Sequence, residues 1–152
     1  MYKLLAIVLF FSTHIFAANL DLNDLKITDL NGKKVNLEKK SKIIFLWASW
    51  CPHCKKVLPY WVSQNEILDP EILYISADDD VKAWKESASN YKVRKHYIAK
   101  AEENSKLSIF KFPSVLIINN RNEVVSSYSV WNKESSDAAL KRFEAEPSRD
   151  IP

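Results

Sequence analysis

The strongest constraint on the fold is a junction in the middle of the chain. Six apolar residues, Ile43 to Ala48 (IIFLWA), run without interruption and then give way, through Ser49-Trp50, to Cys51-Pro52-His53-Cys54. A continuous apolar run of this length is the pattern of a strand covered on both faces. Beyond the cysteines the pattern turns helical: Val57, Leu58, Trp61 and Val62 form one stripe over a helix expected from Pro52 to about Ile67. A buried strand feeding a helix predicts a βαβ unit, with the cysteine pair where strand meets helix.

The remaining pattern extends this unit into a single domain. Leu25 to Thr28 and Val35 to Leu37 alternate as a β-hairpin about Asn31-Gly32. Gly32 is the only glycine in 152 residues, which excludes a Gly-rich phosphate loop. Ile72 to Ser76 (ILYIS) reads as a second buried strand. Asp78-Asp79-Asp80 then reads as a solvated acidic start to a helix through about Ala88, in preference to a metal site. Residues 90 to 112 carry little pattern; a helix is expected between Ala99 and Phe110, ending before Pro113. Ser114 to Ile118 and Val124 to Val130 read as strands about the loop Asn119 to Glu123, where asparagine replaces the expected glycine. A last amphipathic helix carries Ala139, Leu140 and Phe143, and Glu146 to Pro152 reads as a frayed tail. Lys39-Lys40-Ser41-Lys42 is expected to be a solvated loop, and His96, within Arg94-Lys95-His96-Tyr97, a surface residue.

Composition agrees with one globular domain: 47% of residues are hydrophobic, and five Trp, six Tyr and seven Phe can fill one core. Twenty-two Lys+Arg against nineteen Asp+Glu give a net charge of +3, too weak to argue for nucleic acid.

Residues 1–17 have the form of a signal peptide: Lys3, an apolar run from Leu4 to Phe11, a polar break at Ser12-Thr13-His14, then Ala17 as the expected cleavage site. A retained membrane anchor is the competing reading, but a spanning helix needs about 20 apolar residues. The expected mature domain is 18–152, exported to the periplasm. Outside the cytoplasm a cysteine pair is expected to be oxidised or redox-active. Two cysteines are no scaffold, and a disulfide between residues so close in sequence restrains the unfolded chain little.

The placement of the pair gives its members different chemistry. With Cys51 as the N-cap, Pro52 falls at the first helical position, where its missing N–H is harmless. The amides of His53 and Cys54 then have no helical acceptor and turn toward the Cys51 sulfur, at the positive end of the helix dipole. Both effects favour a thiolate, and the His53 imidazole adds to them. A lowered thiol pKa stabilises the reduced form and makes the disulfide more oxidising. Cys54, one turn in and more shielded, is the expected resolving thiol.

Other uses of the cysteines fit less well. Zinc needs about four ligands, and the expected mature chain offers Cys51, Cys54, His53 and His96 without a second paired motif. Covalent haem requires histidine directly after the second cysteine, where Lys55 stands. Copper delivery lacks a thioether, since Met1 is the sole methionine. Thiol–disulfide exchange needs neither metal nor cofactor, and none is expected.

With these features in place, the chain resembles the thioredoxin superfamily, and within it the exported TlpA/ResA-like thiol–disulfide oxidoreductases. The resemblance covers the opening hairpin, IIFLWASWCPHCKKVLP at Ile43 to Pro59, ILYISADDD at Ile72 to Asp80, and FPSVLIINNRNEVV at Phe112 to Val125. It implies an α/β thioredoxin-like fold: a central mixed sheet flanked by helices, with an N-terminal β-hairpin. It also implies that Pro59 kinks the first helix and that Pro113 is a cis-proline facing the cysteines. Trp50, Phe112 and Pro113 would then bind substrate, the backbone beside the proline pairing with an extended segment. Two positions depart from the pattern: Phe45 stands where many thioredoxins carry a buried acid, and Val57 where ResA-like proteins carry glutamate. The Pro-His dipeptide resembles that of the oxidase DsbA, without DsbA's long helical insertion.

The expectation is therefore an exported enzyme exchanging disulfides with exported protein cysteines and regenerated by a membrane redox partner, the oxidising direction slightly favoured. A reductase for apocytochrome c or other exported thiols is the alternative within the same chemistry. A non-catalytic thioredoxin-like binding module or chaperone is the alternative of another class.

Overall fold

The computed structural model describes residues 20–65, 72–92 and 95–145. The proposed signal peptide, the end of the first helix near Ile67 and the tail from Glu146 lie outside the described residues.

The opening hairpin forms as expected, with β1 (Ile27–Asp29) antiparallel to β2 (Lys34–Val35) and Gly32 at the turn with φ +79°. Asp29 holds the turn: its carbonyl accepts from the Gly32 amide, and its carboxylate accepts from the amides of Asn31 and Lys33. The junction strand is β3 (Lys42–Trp47), every residue buried, followed by helix α1 (Pro52–Gln64). Next come β4 (Ile72–Ser76) and α2 (Val81–Ser89), capped by the Asp80 carboxylate on the amides of Lys82 and Ala83. The sequence shows little pattern where the chain forms β5 (His96–Ala99) and then α3 (Ala101–Leu107). The chain ends, among the described residues, with β6 (Ser114–Ile118), β7 (Val124–Ser129) and α4 (Lys133–Ala145).

The seven strands form one mixed sheet in the order β2-β1-β5-β4-β3-β6-β7. β3 is central, parallel to β4 and antiparallel to β6, and β4 is parallel to β5. Both parallel crossovers step the same way across the sheet, so right-handed connections place α1 and α2 on one face. That face carries Phe45, Trp47 and Tyr74 with Leu58, Trp61, Trp84 and, from α4, Leu140. The opposite face buries Ile44, Leu46 and Ile75 beneath Leu107 of α3 and Leu20, Leu22 and Leu25 of the chain before β1.

Three polar residues expected at the surface are buried. Lys42 is the first residue of the central strand, and its position between β4 and β6 carries it inside despite its charged neighbours. Asp78 is buried beside Ser49 and Ser76, so only Asp80 of the acidic triplet caps the helix. His96 is buried because β5 pairs with β4, which sets its ring against Tyr74 and Trp47 at centroid distances of 5.3 and 6.0 Å. A four-residue strand with basic flanks has no hydrophobic run to announce it.

Burial pushes the His96 pKa down to about 4, opposed in part by the Tyr91 backbone. The unfolded chain, with histidine near 6.5, binds this proton first, so folding loses stability as pH falls from about 6.5 toward 4. The carboxyls of Glu38, Glu102, Glu123 and Asp137 are held below their ordinary values and titrate beneath most of that window. Urea unfolding at pH 7 and pH 5 should differ by about 2 kcal/mol. His96→Phe, which keeps a ring against Tyr74, should remove most of that difference; equal pH sensitivity in the variant would contradict the assignment.

Candidate active site

The site is built outward from the end of β3. The Trp47 carbonyl accepts from Ala77 N–H at 3.0 Å, and the Ala48 carbonyl accepts from Cys51 N–H at 3.1 Å. Between them, Ser49 donates its amide and hydroxyl to the Asp78 carboxylate at 2.9 and 2.6 Å. Ser76 Oγ also donates to Asp78 and accepts from its amide. A buried carboxylate taking three donors thus ties the loop before the cysteines to the end of β4. The sequence alone places Asp78 in solvent because Ser49, which donates two of its three bonds, lies 29 residues away.

Cys51 is the N-cap of α1 in extended backbone (φ −87°, ψ 109°), and Pro52 opens the helix. The Cys54 amide donates to Cys51 Sγ at 3.2 Å. Of the two amides expected there, Cys54 supplies this bond; no matching bond from His53 occurs among the described residues. Cys51 and Cys54 form a disulfide with their Cα atoms 5.3 Å apart. Cys51 retains 5% exposure and Cys54 none, the asymmetry expected of an attacked and a shielded sulfur. Pro59 lies inside α1, where its ring leaves the Lys55 carbonyl without a helical donor.

Phe45 and Val57, which occupy the positions of the missing acids, are buried in the same apolar cluster as both cysteines. Phe45 packs its ring against Trp61 at 5.7 Å and Tyr74 at 5.8 Å. Both cysteines therefore belong to an apolar cluster in which these two positions carry no acid.

The Phe112–Pro113 bond is cis. Phe112 sets its ring edge-to-face with that of Trp50, the residue before Cys51, at 6.1 Å. The Pro113 carbonyl is occupied by Val130 N–H at 3.1 Å, and proline has no amide to offer.

Val130 brings in a residue that the sequence reading missed. Trp131, next along the chain, sets its ring edge-to-face with His53 at 5.4 Å. Trp50 and Trp131 remain 63% and 46% exposed, so two large apolar rings stand in solvent within contact distance of the redox loop's neighbours. An exposed tryptophan directly after a strand was the available signal. His96 does not join the site, and among the described residues no three His, Cys, Asp or Glu side chains are grouped to hold a metal ion.

Comparison with known proteins agrees with this geometry. The family described as thioredoxin-like matches residues 39–124. A thiol–disulfide oxidoreductase ResA of Bacillus cereus is 30% identical over 131 residues, covering 77% of this chain and 73% of that protein. A protein disulfide-isomerase of Datisca glomerata is 28% identical over 115 residues, which span 72% of this chain and only 19% of that protein. Among solved structures, a DsbE-type thiol:disulfide interchange protein of Chlorobium tepidum superposes with a TM-score of 0.69 at 14% identity, covering 84% of this chain and 96% of that one. A secreted disulfide oxidoreductase of Mycobacterium tuberculosis superposes at 0.61 and 21% identity, covering 82% and 97%. At these identities the structural matches speak to the fold.

Asp78→Asn tests the anchor. An amide offers one acceptor oxygen where the carboxylate offers two, so at least one of three donors loses its partner. The variant should lose about 1–3 kcal/mol of unfolding free energy in urea. A loss within error of zero would show that the Asp78 contacts do not fix the loop.

Proposed function

The chain belongs to the thioredoxin-like family, and we propose that it is a thiol–disulfide oxidoreductase acting outside the cytoplasm as an oxidant of exported protein thiols. The observation that carries the reading is the Cys51 sulfur at the start of α1, receiving the Cys54 amide while Cys54 itself is sealed in the core. The signal-like sequence at residues 1–17 supports export. Among the described residues no helix is long and apolar enough to cross a membrane.

In the proposed exchange a substrate thiolate attacks Cys51 Sγ. The Cys51–Cys54 bond breaks, Cys54 departs with the electron pair and takes up a proton, and Cys51 is left in a mixed disulfide with the substrate. A second substrate thiolate then attacks the substrate's own sulfur, and Cys51 leaves as a thiolate. Two electrons pass from the substrate dithiol to the enzyme, and a membrane redox partner must remove them. The leaving Cys51 anion accepts the Cys54 amide and lies at the positive helix end, so its departure is favoured. The extended substrate lies along Phe112, between the exposed rings of Trp50 and Trp131.

The reductase reading, serving apocytochrome c or other exported thiols, runs the same steps in reverse. Both directions pass through a Cys54 anion, and the two positions that would carry an acid hold Phe45 and Val57. What favours oxidation is the support given to the Cys51 anion, which stabilises the reduced pair.

Cys51→Ser should abolish exchange with a small aromatic disulfide, whereas Cys54→Ser should accumulate a mixed disulfide with a disulfide-bonded peptide, whose other cysteine leaves as a thiol, seen by mass spectrometry. Equilibration with glutathione should place the couple nearer ~−120 mV than ~−270 mV. His53→Ser should lower it by roughly 30 mV or more, tenfold in the equilibrium constant. A wild-type value at the low end would turn the assignment to the reductase, and retained exchange in Cys51→Ser would end both.

A further inference from the structure

The ends at which β3, β4 and β5 begin form the edge of the sheet away from the disulfide, which follows the far end of β3. There residues 35–42, connecting β2 to β3, pass the first residues of β4 and β5 and leave a cavity of about 120 Å³. Its wall contains Lys40, Lys42 and Lys95 against one carboxylate, Glu38, with Leu73 and Tyr97 supplying apolar surface.

Lys42 is the unusual member of this wall. It is 1% exposed, and its ammonium donates to two neutral acceptors, the Glu38 carbonyl and Asn122 Oδ1. A buried cation is ordinarily matched by a carboxylate, because hydrogen bonds to neutral oxygens replace only part of its lost hydration. Glu38 does not meet this need, since its carboxylate pairs with Lys40 at 2.7 Å where both side chains are largely exposed. The charges nonetheless sense one another. Lys40, Lys95 and Lys42 all hold the Glu38 carboxyl below its ordinary range, and burial with the nearby Lys40 charge pushes the Lys42 amine down to about 8. Among the described residues the wall carries three ammonium groups and one carboxylate, and Lys42, the most deeply buried of them, has no carboxylate in contact.

We propose that this cavity binds a small oxyanion, a carboxylate or phosphate group, with Lys42 as the buried cation and Lys40 and Lys95 completing the wall. Sites for drug-sized ligands occupy roughly 300–1,000 Å³, so the volume here restricts the occupant to a group of a few atoms. A charge-assisted bond to lysine is stronger than a neutral one, and the apolar surface of Leu73 and Tyr97 lowers the local dielectric around it. The site is separate from the cysteine pair and independent of exchange.

Isothermal titration of the full chain with inorganic phosphate, at constant ionic strength and with sodium chloride as control, tests the proposal. Saturable one-site binding is expected for phosphate and not for chloride, weakened roughly tenfold in Lys42→Met and severalfold in Lys95→Gln. Lys95 is partly exposed, so Lys95→Gln keeps the test decisive should Lys42→Met fail to fold. Cys51→Ser should bind phosphate like the wild type, which separates this outcome from the fate of the redox reading. Sedimentation with phosphatidylcholine vesicles, with and without phosphatidylglycerol, distinguishes the sources. Binding to anionic vesicles that Lys95→Gln weakens assigns a lipid headgroup, and phosphate binding without vesicle binding assigns a free anion. Phosphate heats equal to those of chloride without vesicle binding, or binding unchanged in both lysine variants, would overturn the site.

Discussion

The redox centre depends on one capping hydrogen bond, from the Cys54 amide to the Cys51 sulfur. Its geometry is set at some distance from the sulfur. β3 is fixed by ladders to β4 and β6, the Trp47 carbonyl is taken by Ala77, and Ser49 is held by Asp78. With the loop pinned at these points, Cys51 has only an extended conformation open to it, and Pro52 supplies the φ that starts the helix. The sulfur is thus positioned by the main chain of two neighbouring strands. A change in the β3–β4 pairing would reach it before any change in its own side-chain neighbours.

The same arrangement makes the two sulfurs unequal. Cys51 caps the helix start and retains a little exposure; Cys54 is fully buried in the apolar cluster that includes Phe45, Val57, Leu58 and Trp61. Asp78, the buried carboxylate that anchors the loop, accepts from Ser49 and Ser76 and is not a member of this cluster. Negative charge is therefore supported at one sulfur and opposed at the other. In the proposed exchange the exposure of Cys51 directs attack to that sulfur, and the charge asymmetry favours its later departure from the mixed disulfide.

What could be read from the sequence divides along a physical line. β3, α1, β4 and β6 announce themselves because their signal is local: a run of apolar residues, a helical stripe, a proline at a helix start. The cysteine chemistry is local for the same reason, since N-cap, proline and second cysteine lie within four residues. Lys42, Asp78, His96 and Trp131 were invisible or misplaced because what surrounds each comes from elsewhere in the chain. Lys42 meets Asn122 across 80 residues, His96 is covered by Trp47 and Tyr74, and Trp131 reaches His53 only through the turn from β7 toward α4. A window of sequence shows the charge of such residues and not the partner that permits its burial.

Asn122 shows how a chain with a single glycine manages a second left-handed turn. The β6–β7 loop requires a positive φ, and Asn122 adopts 64° there. Glycine would adopt it with less strain. Its side chain, however, would be lost: Asn122 Oδ1 accepts from the Lys42 ammonium, while Nδ2 donates to the Leu37 carbonyl at 3.2 Å and to Asn23 Oδ1 at 3.1 Å. These bonds join the segment before β1, the connection into β3 and the β6–β7 turn at one buried point. The modest backbone cost of asparagine in this conformation is offset by three contacts that glycine cannot make, one of them to a buried charge whose other contact is likewise a neutral oxygen. Asparagine at this turn is thus part of the same arrangement that carries Lys42 into the sheet, and replacing it by glycine would relax the turn while leaving the ammonium with a single acceptor.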